Sequence, residues 1–163
     1  MLTGKKIVLG VSGGIAAYKM ANVASMLSKL HADIHVVMTE NATHFITPET
    51  FEVLTGNHCY TDTFDRCMEL HVPHIALGTQ ADAILIAPAS ADVVGKIANG
   101  IADDMLTTCV LPATCPVMLA PSMNVHMYEN PIVQDNMKKL ASYGYEIIEA
   151  DEGYLACRDI GKG

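Results

Sequence analysis

Short apolar runs rich in branched residues alternate with segments of helical period along this chain. The first run, "KKIVLG" from Lys5 to Gly10, ends in glycine and is followed by the turn-like stretch "VSGG". A segment with helical spacing comes next, and its apolar positions are Ile15, Tyr18, Ala21, Val23, Leu27 and Leu30. This pattern predicts a strand, a turn and a helix.

Four later apolar runs predict further strands. "ADIHVVMTE" should end near Thr39 and "ADAILIAPAS" near Pro88, and "TCPVMLAPS" and "YEIIEA" follow them. Helices are predicted at about 91 to 99, 103 to 111 and 131 to 143, the last with Asn130 as its N-cap and Pro131 at its first position. Strands that alternate with helices predict a single doubly wound α/β domain over 1–163, whose parallel sheet is covered by helices on both faces.

Composition excludes several classes of partner. The 163 residues carry a formal net charge of -8, which argues against a nucleic-acid partner or an anionic membrane surface, because both bind through clustered Lys and Arg. No stretch approaches the roughly 20 apolar residues of a membrane span. The five cysteines are an odd number without the spacing of a disulfide framework, so we expect a cytoplasmic location.

The informative loops all follow predicted strands. "SGGIA", "TEN", "PASAD" and "APSMN" each come directly after an apolar run. In doubly wound sheets, ligands bind beyond the carboxyl ends of the strands, near the point where the strand order reverses. We therefore expect these four loops to meet at one site.

The glycine turn allows more than one interpretation. Gly13 and Gly14 could present backbone N–H groups to an anion at a helix N-terminus, or they could serve tight packing alone. The dinucleotide fingerprint is incomplete, because Ser12 stands where its second glycine would be. The same stretch matches the G-x-S-x-G elbow of hydrolases, but only nine residues precede Gly10, too few for the earlier strand that an oxyanion hole requires.

Three polar residues are candidates for chemistry. His74 follows Pro73 and should lie in the first turn of a helix, either as a neutral base or as a capping residue. Asn124 either holds a turn or directs its amide into the cleft. Cys157, in "GYLACRDIGKG", lies among glycine and charged residues, as an exposed and reactive thiol would.

Two other groups of residues have simpler interpretations. Met123 and Met127 have the spacing of core residues. A zinc site is not predicted, because its candidate ligands lack the closely paired spacing of structural zinc motifs. Those candidates are His58, Cys59, Cys67, His71 and His74.

Five motifs together resemble one family, the flavin-containing cysteine decarboxylases. They are "GVSGGIAAYK", "HIAL", "PASADVVGKIANGIADDMLTT", "APSMNVHMYENP" and, more loosely, "LACRDIGKG". The resemblance extends over nearly the whole chain. It implies a Rossmann-like subunit that binds FMN and assembles into trimers, in some members grouped as dodecamers, with the active site between subunits.

The resemblance also implies roles for individual residues. His74 would be the base beside the flavin, Asn124 and Ala156 would contact the substrate, and Cys157 would donate a proton from a mobile flap. The implied FMN contacts are Gly13, Gly14, Ile15, Thr39, Ser90, Ala91, Asp92, Val93 and Ser122.

The implied activity is the FMN-dependent conversion of phosphopantothenoylcysteine to phosphopantetheine in coenzyme A biosynthesis. The substrate would be oxidised to a thioaldehyde, lose carbon dioxide and be reduced again as an ene-thiolate. The alternatives are oxidative decarboxylation of a peptide's C-terminal cysteine and a non-catalytic flavin-binding regulator. The "LAC" motif favours the first activity, and the presence of His74, Asn124 and Cys157 together argues against the regulator.

Three motifs depart from the family pattern. The usual "SANT" is Ser90 to Val93, "SADV", with a carboxylate at Asp92 in place of an amide. The usual "PAMN" is "PSMN", with Ser122, and "ACGD" is "ACRD", with Arg158. The family pattern normally continues beyond this length, and in many bacteria a ligase that joins cysteine to phosphopantothenate follows, so a fused or separate ligase is an expected partner.

Overall fold

A computed structural model describes residues 1–64 and 72–149, and the backbone of residues 152–154 and 160–162. The described strands are β1 (Lys6–Val11), β2 (Asp33–Met38), β3 (Cys59–Tyr60), β4 (Ala83–Ala89), β5 (Val117–Pro121), β6 (Glu146–Ile147), β7 (Glu152–Tyr154) and β8 (Ile160–Lys162). The described α-helices are α1 (Met20–Lys29), α2 (Pro48–Thr55), α3 (Pro73–Gln80), α4 (Ala91–Ala98), α5 (Met105–Val110), α6 (Val125–Tyr128) and α7 (Pro131–Ser142). Two 3-10 segments lie at Ile15–Lys19 and Glu40–His44.

The main sheet has the doubly wound topology that the sequence predicts. Its six strands lie in the order β3-β2-β1-β4-β5-β6, and every pair is parallel. The chain builds outward from β1 through β2 to β3 and then crosses to β4 on the other side of β1. The order of strands therefore reverses between β1 and β4, where such folds bind ligands.

Each face of the sheet has its own apolar core, because successive strand residues point to opposite sides. Val8 of β1 packs on the first face with Ile84, Ile86 and side chains of α3, α4, α5 and α7. Leu9 and Val11 pack on the second face with Ile34 and with side chains of α1 and α2. Both cores are mostly aliphatic, with Tyr60 buried in the first and Phe51 in the second, and this buried area is the main source of stability.

Half of the second face is incompletely covered. Leu85 of β4 and Met118 and Ala120 of β5 are only partly buried, although both strands lie inside the sheet. The 3-10 segment at Ile15–Lys19 packs beside them against β4, and there Ile15 and Tyr18 are more than half exposed. We call this surface (Ile15, Tyr18, Leu85, Met118 and Ala120) the open half-face. Ile15 and Tyr18, two of the six apolar positions of the helical pattern, are thus on the surface.

Several predicted elements are confirmed and others were not foreseen. The helix predicted at 131 to 143 is α7, and the Asn130 side chain caps it by accepting a hydrogen bond from the Ile132 N–H at 2.9 Å. The helix predicted after "VSGG" is divided into a 3-10 segment and α1. The short strand β3, the helix α2 and the antiparallel pair β7–β8 were not predicted. None of the described helices is long and apolar enough to cross a bilayer.

Candidate functional site

A cavity of about 430 Å³ opens at the carboxyl edge of the sheet, beside the point of strand reversal. It is lined by the loops that follow β1, β2 and β4, and also by Lys96, Asp103, Asp104 and Met127. Six of the nine residues proposed as FMN contacts belong to this lining: Gly13, Thr39, Ser90, Ala91, Asp92 and Val93. The expectation that the post-strand loops meet at one site is thus met for three of the four loops.

The two glycines of the first loop have different surroundings. A Cβ on Gly13 would lie 2.5 Å from the Asn41 Cβ, so tight packing between the loops after β1 and β2 requires a glycine there. A Cβ on Gly14 would have the Pro88 Cγ, at 4.0 Å, as its nearest neighbour, and the extended backbone at this residue suits any side chain. Packing therefore accounts for Gly13 but not for Gly14.

Ser12 joins the two strands at the point of reversal. Its fully buried hydroxyl donates a hydrogen bond to the Pro88 carbonyl at 2.5 Å and accepts one from the Ser90 N–H at 2.9 Å. The sequence showed Ser12 only as a departure from a glycine fingerprint and as the serine of an incomplete hydrolase elbow. Its structural role was missed because the two partners are more than 70 residues away in sequence.

Two helical segments begin at the wall of the cavity. The Thr39 hydroxyl accepts a hydrogen bond from the Ala42 N–H at 3.3 Å, and the Ser90 hydroxyl accepts one from the Val93 N–H at 3.3 Å. Each cap satisfies one first-turn N–H, whereas the first four N–H groups of a helix have no acceptor within the helix. These segment starts therefore bring further backbone donors to the cavity.

The charges around the cavity are mostly negative. Glu40, Asp92, Asp103 and Asp104 supply four carboxylates, and Lys96 supplies one ammonium. The Lys96 Nζ lies 3.1 Å from the Asp92 carboxylate and 3.3 Å from that of Asp103. Partial burial lowers the Lys96 pKa, but hydrogen bonds to Asp92 and Asp103 outweigh it, so the pKa is raised overall. The carboxylate at Asp92 is therefore paired.

His74 and Asn124 lie near helix starts but do not line the cavity. His74 follows Pro73 in the first turn of α3, as predicted, and its Nδ1 is buried with no hydrogen-bond partner among the residues described. The Asn124 Oδ1 caps α6 by accepting a hydrogen bond from the His126 N–H at 2.9 Å, so this side chain holds a turn. Gly14, Ile15 and Ser122 also lie outside the lining.

Met127 contributes to the cavity, which its spacing did not predict. The core position expected for it is wrong: its side chain is 48% exposed and lines the cavity. Its helix, α6, packs against β8. Ala156 and Cys157, in the sequence between β7 and β8, lie outside the described residues.

The cysteines that can be described are not activated. Burial raises the pKa of both Cys59 and Cys109 to about 12, and it also raises that of Cys115. Thiols of this kind are poor nucleophiles and slow proton donors at neutral pH. Of the residues considered for zinc, Cys67 and His71 lie outside the described residues, and His58 pairs with Glu52 at 2.8 Å.

Comparison with known proteins identifies the family. The model of the flavoprotein family matches residues 1–163. The coenzyme A biosynthesis bifunctional protein CoaBC of Bacillus subtilis (strain 168) is 50% identical over 163 residues, which are 100% of this chain and 40% of that protein. The chain thus spans about 40% of the length of this relative.

Two further proteins match this chain over most of its length and over most of their own length. The probable phosphopantothenoylcysteine decarboxylase of Streptococcus mutans is 44% identical over 161 residues, or 98% of this chain and 90% of that protein. The crystal structure of the FMN-dependent cysteine decarboxylase SpaF matches with a TM-score of 0.87 and 36% identity, over 99% of this chain and 92% of that one. Given the match along its whole length, the chain belongs to the flavoprotein family.

Proposed function

We propose that this protein uses FMN to decarboxylate phosphopantothenoylcysteine to phosphopantetheine, a step of coenzyme A biosynthesis in a reducing cytoplasm. The observation that carries the proposal is the single cavity in which six of the nine residues carried over as FMN contacts meet. Relatives at 50% and 44% identity are named for coenzyme A biosynthesis and for this decarboxylation, whereas the peptidyl-cysteine decarboxylase EpiD is 25% identical. These differences favour the small substrate over a peptide.

The cavity has features that fit FMN. Backbone donors at the starts of two helical segments suit a polar ligand. Gly14 is outside the lining, but it leaves space beside the glycine turn that packing does not require. The glycine turn and Thr39 would hold the phosphate, while Ser90 to Val93 would contact the remainder. When bound, FMN supplies a reversible hydride acceptor for the carbon that bears the substrate thiol.

Four residues would handle the substrate. The buried Nδ1 of His74 needs a polar partner, which the bound ligand or a neighbouring subunit would supply, and the ring would accept a proton there. Asn124 and Ala156 would hold the substrate, with the amide of Asn124 at its carboxylate. Cys157 would donate a proton to the ene-thiolate carbon left after carbon dioxide has departed.

The open half-face supports a trimer, or a dodecamer made of four trimers. Apolar residues on inner strands are usually covered, and here Leu85, Met118 and Ala120 are only partly buried and are bordered by exposed Ile15 and Tyr18. A second copy of the chain would cover this surface. A phosphopantothenate–cysteine ligase, fused or separate, is the second proposed partner, because the bifunctional relative is much longer than this chain.

The decisive test is to incubate the FMN-loaded protein separately with phosphopantothenoylcysteine and with a peptide ending in cysteine. We expect the first to yield phosphopantetheine, detected by mass as loss of carbon dioxide with no loss of hydrogen. An enethiol product from the peptide alone would instead support the oxidative activity. A protein that takes up FMN but converts neither substrate would support the regulator.

Two variants examine the assigned roles. Cys157→Ser should slow formation of phosphopantetheine by about 10²- to 10⁴-fold, the usual effect of losing a general acid, while carbon dioxide is still released. His74→Asn should stop the reaction before any substrate is oxidised. Cys115→Ser and His126→Asn are the matched controls and should keep the parental rate. If Cys157→Ser turns over at that rate, the proton comes from another group.

A further inference from the structure

Lys96 lies in the cavity wall and contacts two other residues of that wall. It lies one helical turn after Asp92, the position at which this chain carries a carboxylate in place of the family's amide. Its ammonium contacts that carboxylate at 3.1 Å and also reaches Asp103, in the loop between α4 and α5, at 3.3 Å. A single side chain thus connects the start of α4 to the next loop of the cavity.

The bridge differs from an ordinary surface ion pair. The Lys96 side chain is only 24% exposed, those of Asp92 and Asp103 are 60% and 56% exposed, and all three residues line the same cavity. By contrast, Lys138 and Asp135 on α7 form an i,i+3 pair at 3.9 Å in which both side chains are more than three-quarters exposed. Pairs of the second kind usually contribute little to stability, so Lys138 provides a matched comparison.

The cavity needs this positive charge if an anion binds there. Within the described lining, four carboxylates face one ammonium, a net formal charge of −3. Loss of the ammonium would change the charge to −4 and release two carboxylates to move toward the ligand. A phosphate group carries a charge of about −1.5 to −2 at neutral pH and would be repelled.

We propose that Lys96 is a positioning residue for the phosphorylated flavin, an inference that rests on the proposed function. By holding Asp92 and Asp103, it keeps their charges paired and the loop of Asp103 against α4. In this way the chain accommodates a carboxylate at position 92 without losing affinity for an anionic cofactor. Lys96 acts through its two partners and need not touch the flavin.

The test compares FMN with riboflavin, which lacks the phosphate. Each is titrated by fluorescence into the full chain after any bound flavin has been removed. Lys96→Met should weaken FMN binding by about three- to tenfold at low salt, the range for two partly exposed ion pairs. Riboflavin binding should change much less, and the loss for FMN should shrink near 1 M salt, where the screening length falls to about 3 Å.

Rescue variants separate charge from structure. Adding Asp92→Asn and Asp103→Asn to Lys96→Met should restore FMN binding, because the released charges are then absent. Lys96→Arg should bind FMN like the parent protein, and so should Lys138→Met. If Lys96→Met does not fold, the pair Asp92→Asn and Asp103→Asn with Lys96 retained should tighten FMN binding relative to the parent, and failure to do so overturns the proposal.

The outcomes distinguish this inference from the proposed function. A parent protein that binds no FMN overturns both. A parent that binds FMN, with Lys96→Met unchanged, overturns only the role of Lys96. Equal losses for FMN and riboflavin that persist at high salt and are not rescued would show that Lys96 is merely structural, which also overturns it.

Discussion

Ser12→Ala should destabilise the point where the sheet reverses. The substitution removes a buried hydroxyl that donates to the Pro88 carbonyl at 2.5 Å and accepts from the Ser90 N–H at 2.9 Å. The Pro88 carbonyl keeps a second hydrogen bond from the Ser12 N–H at 3.3 Å, whereas the Ser90 N–H loses the acceptor that Ser12 supplied. Most of the cost should therefore come from Ser90, the residue that caps α4.

The expected loss follows from these contacts. A net contribution of about 1 kcal/mol for a hydrogen bond, and about 1–3 kcal/mol for leaving a buried donor without a partner, gives a decrease of about 2 kcal/mol in the free energy of unfolding. In a chain of this length that decrease corresponds to about 4–8 °C in Tm. Because Ser90 lies in the cavity wall, FMN binding should weaken as well.

Urea unfolding, followed by circular dichroism at a fixed protein concentration, measures this loss. Ser28→Ala is the matched control, because it removes a partly buried hydroxyl with one hydrogen bond, to the Leu54 carbonyl at 3.1 Å, away from the cavity. It should cost less than Ser12→Ala and leave FMN binding intact. If Ser12→Ala unfolds within about 0.5 kcal/mol of the parent, Ser12 does not join the two strands as described.

Three further predictions follow from the packing and the thiols. Gly13→Ala should destabilise the fold and weaken FMN binding, because its Cβ collides with the segment after β2, whereas Gly14→Ala should unfold like the parent; equal urea midpoints for the two would contradict this. Cys59 and Cys109, with pKa values raised by burial to about 12, should resist alkylation at about pH 8 in the native state, which peptide mapping by mass spectrometry checks. Met118→Lys should reduce assembly in light scattering, because it places a charge on the open half-face; an unchanged oligomer would exclude this surface as the interface.

The sequence by itself determined the fold class and the edge of the sheet at which the site lies. Apolar runs followed by glycine or serine predicted β1 and β4, and the cap at Asn130 predicted the start of α7, because these signals depend on neighbours within a few residues. The two-residue strand β3 was missed, because its pairing with β2 defines it more than its own composition does. The family motifs selected six residues that meet in the cavity, but they assigned no role to Lys96 or Met127.

Only the tertiary structure decided which distant residues meet. The alternation along β1 predicts two faces, yet it cannot tell that β4 lies beside β1, so the link from Ser12 to Pro88 and Ser90 was not foreseeable. The helical pattern likewise could not show that Ile15 would remain exposed, because exposure depends on what covers the second face. The bridge from Asp92 through Lys96 to Asp103 likewise depends on how the loop after α4 folds back. Local periodicity specifies only the direction of a side chain, whereas the order of strands brings together groups that are separated by long stretches of chain.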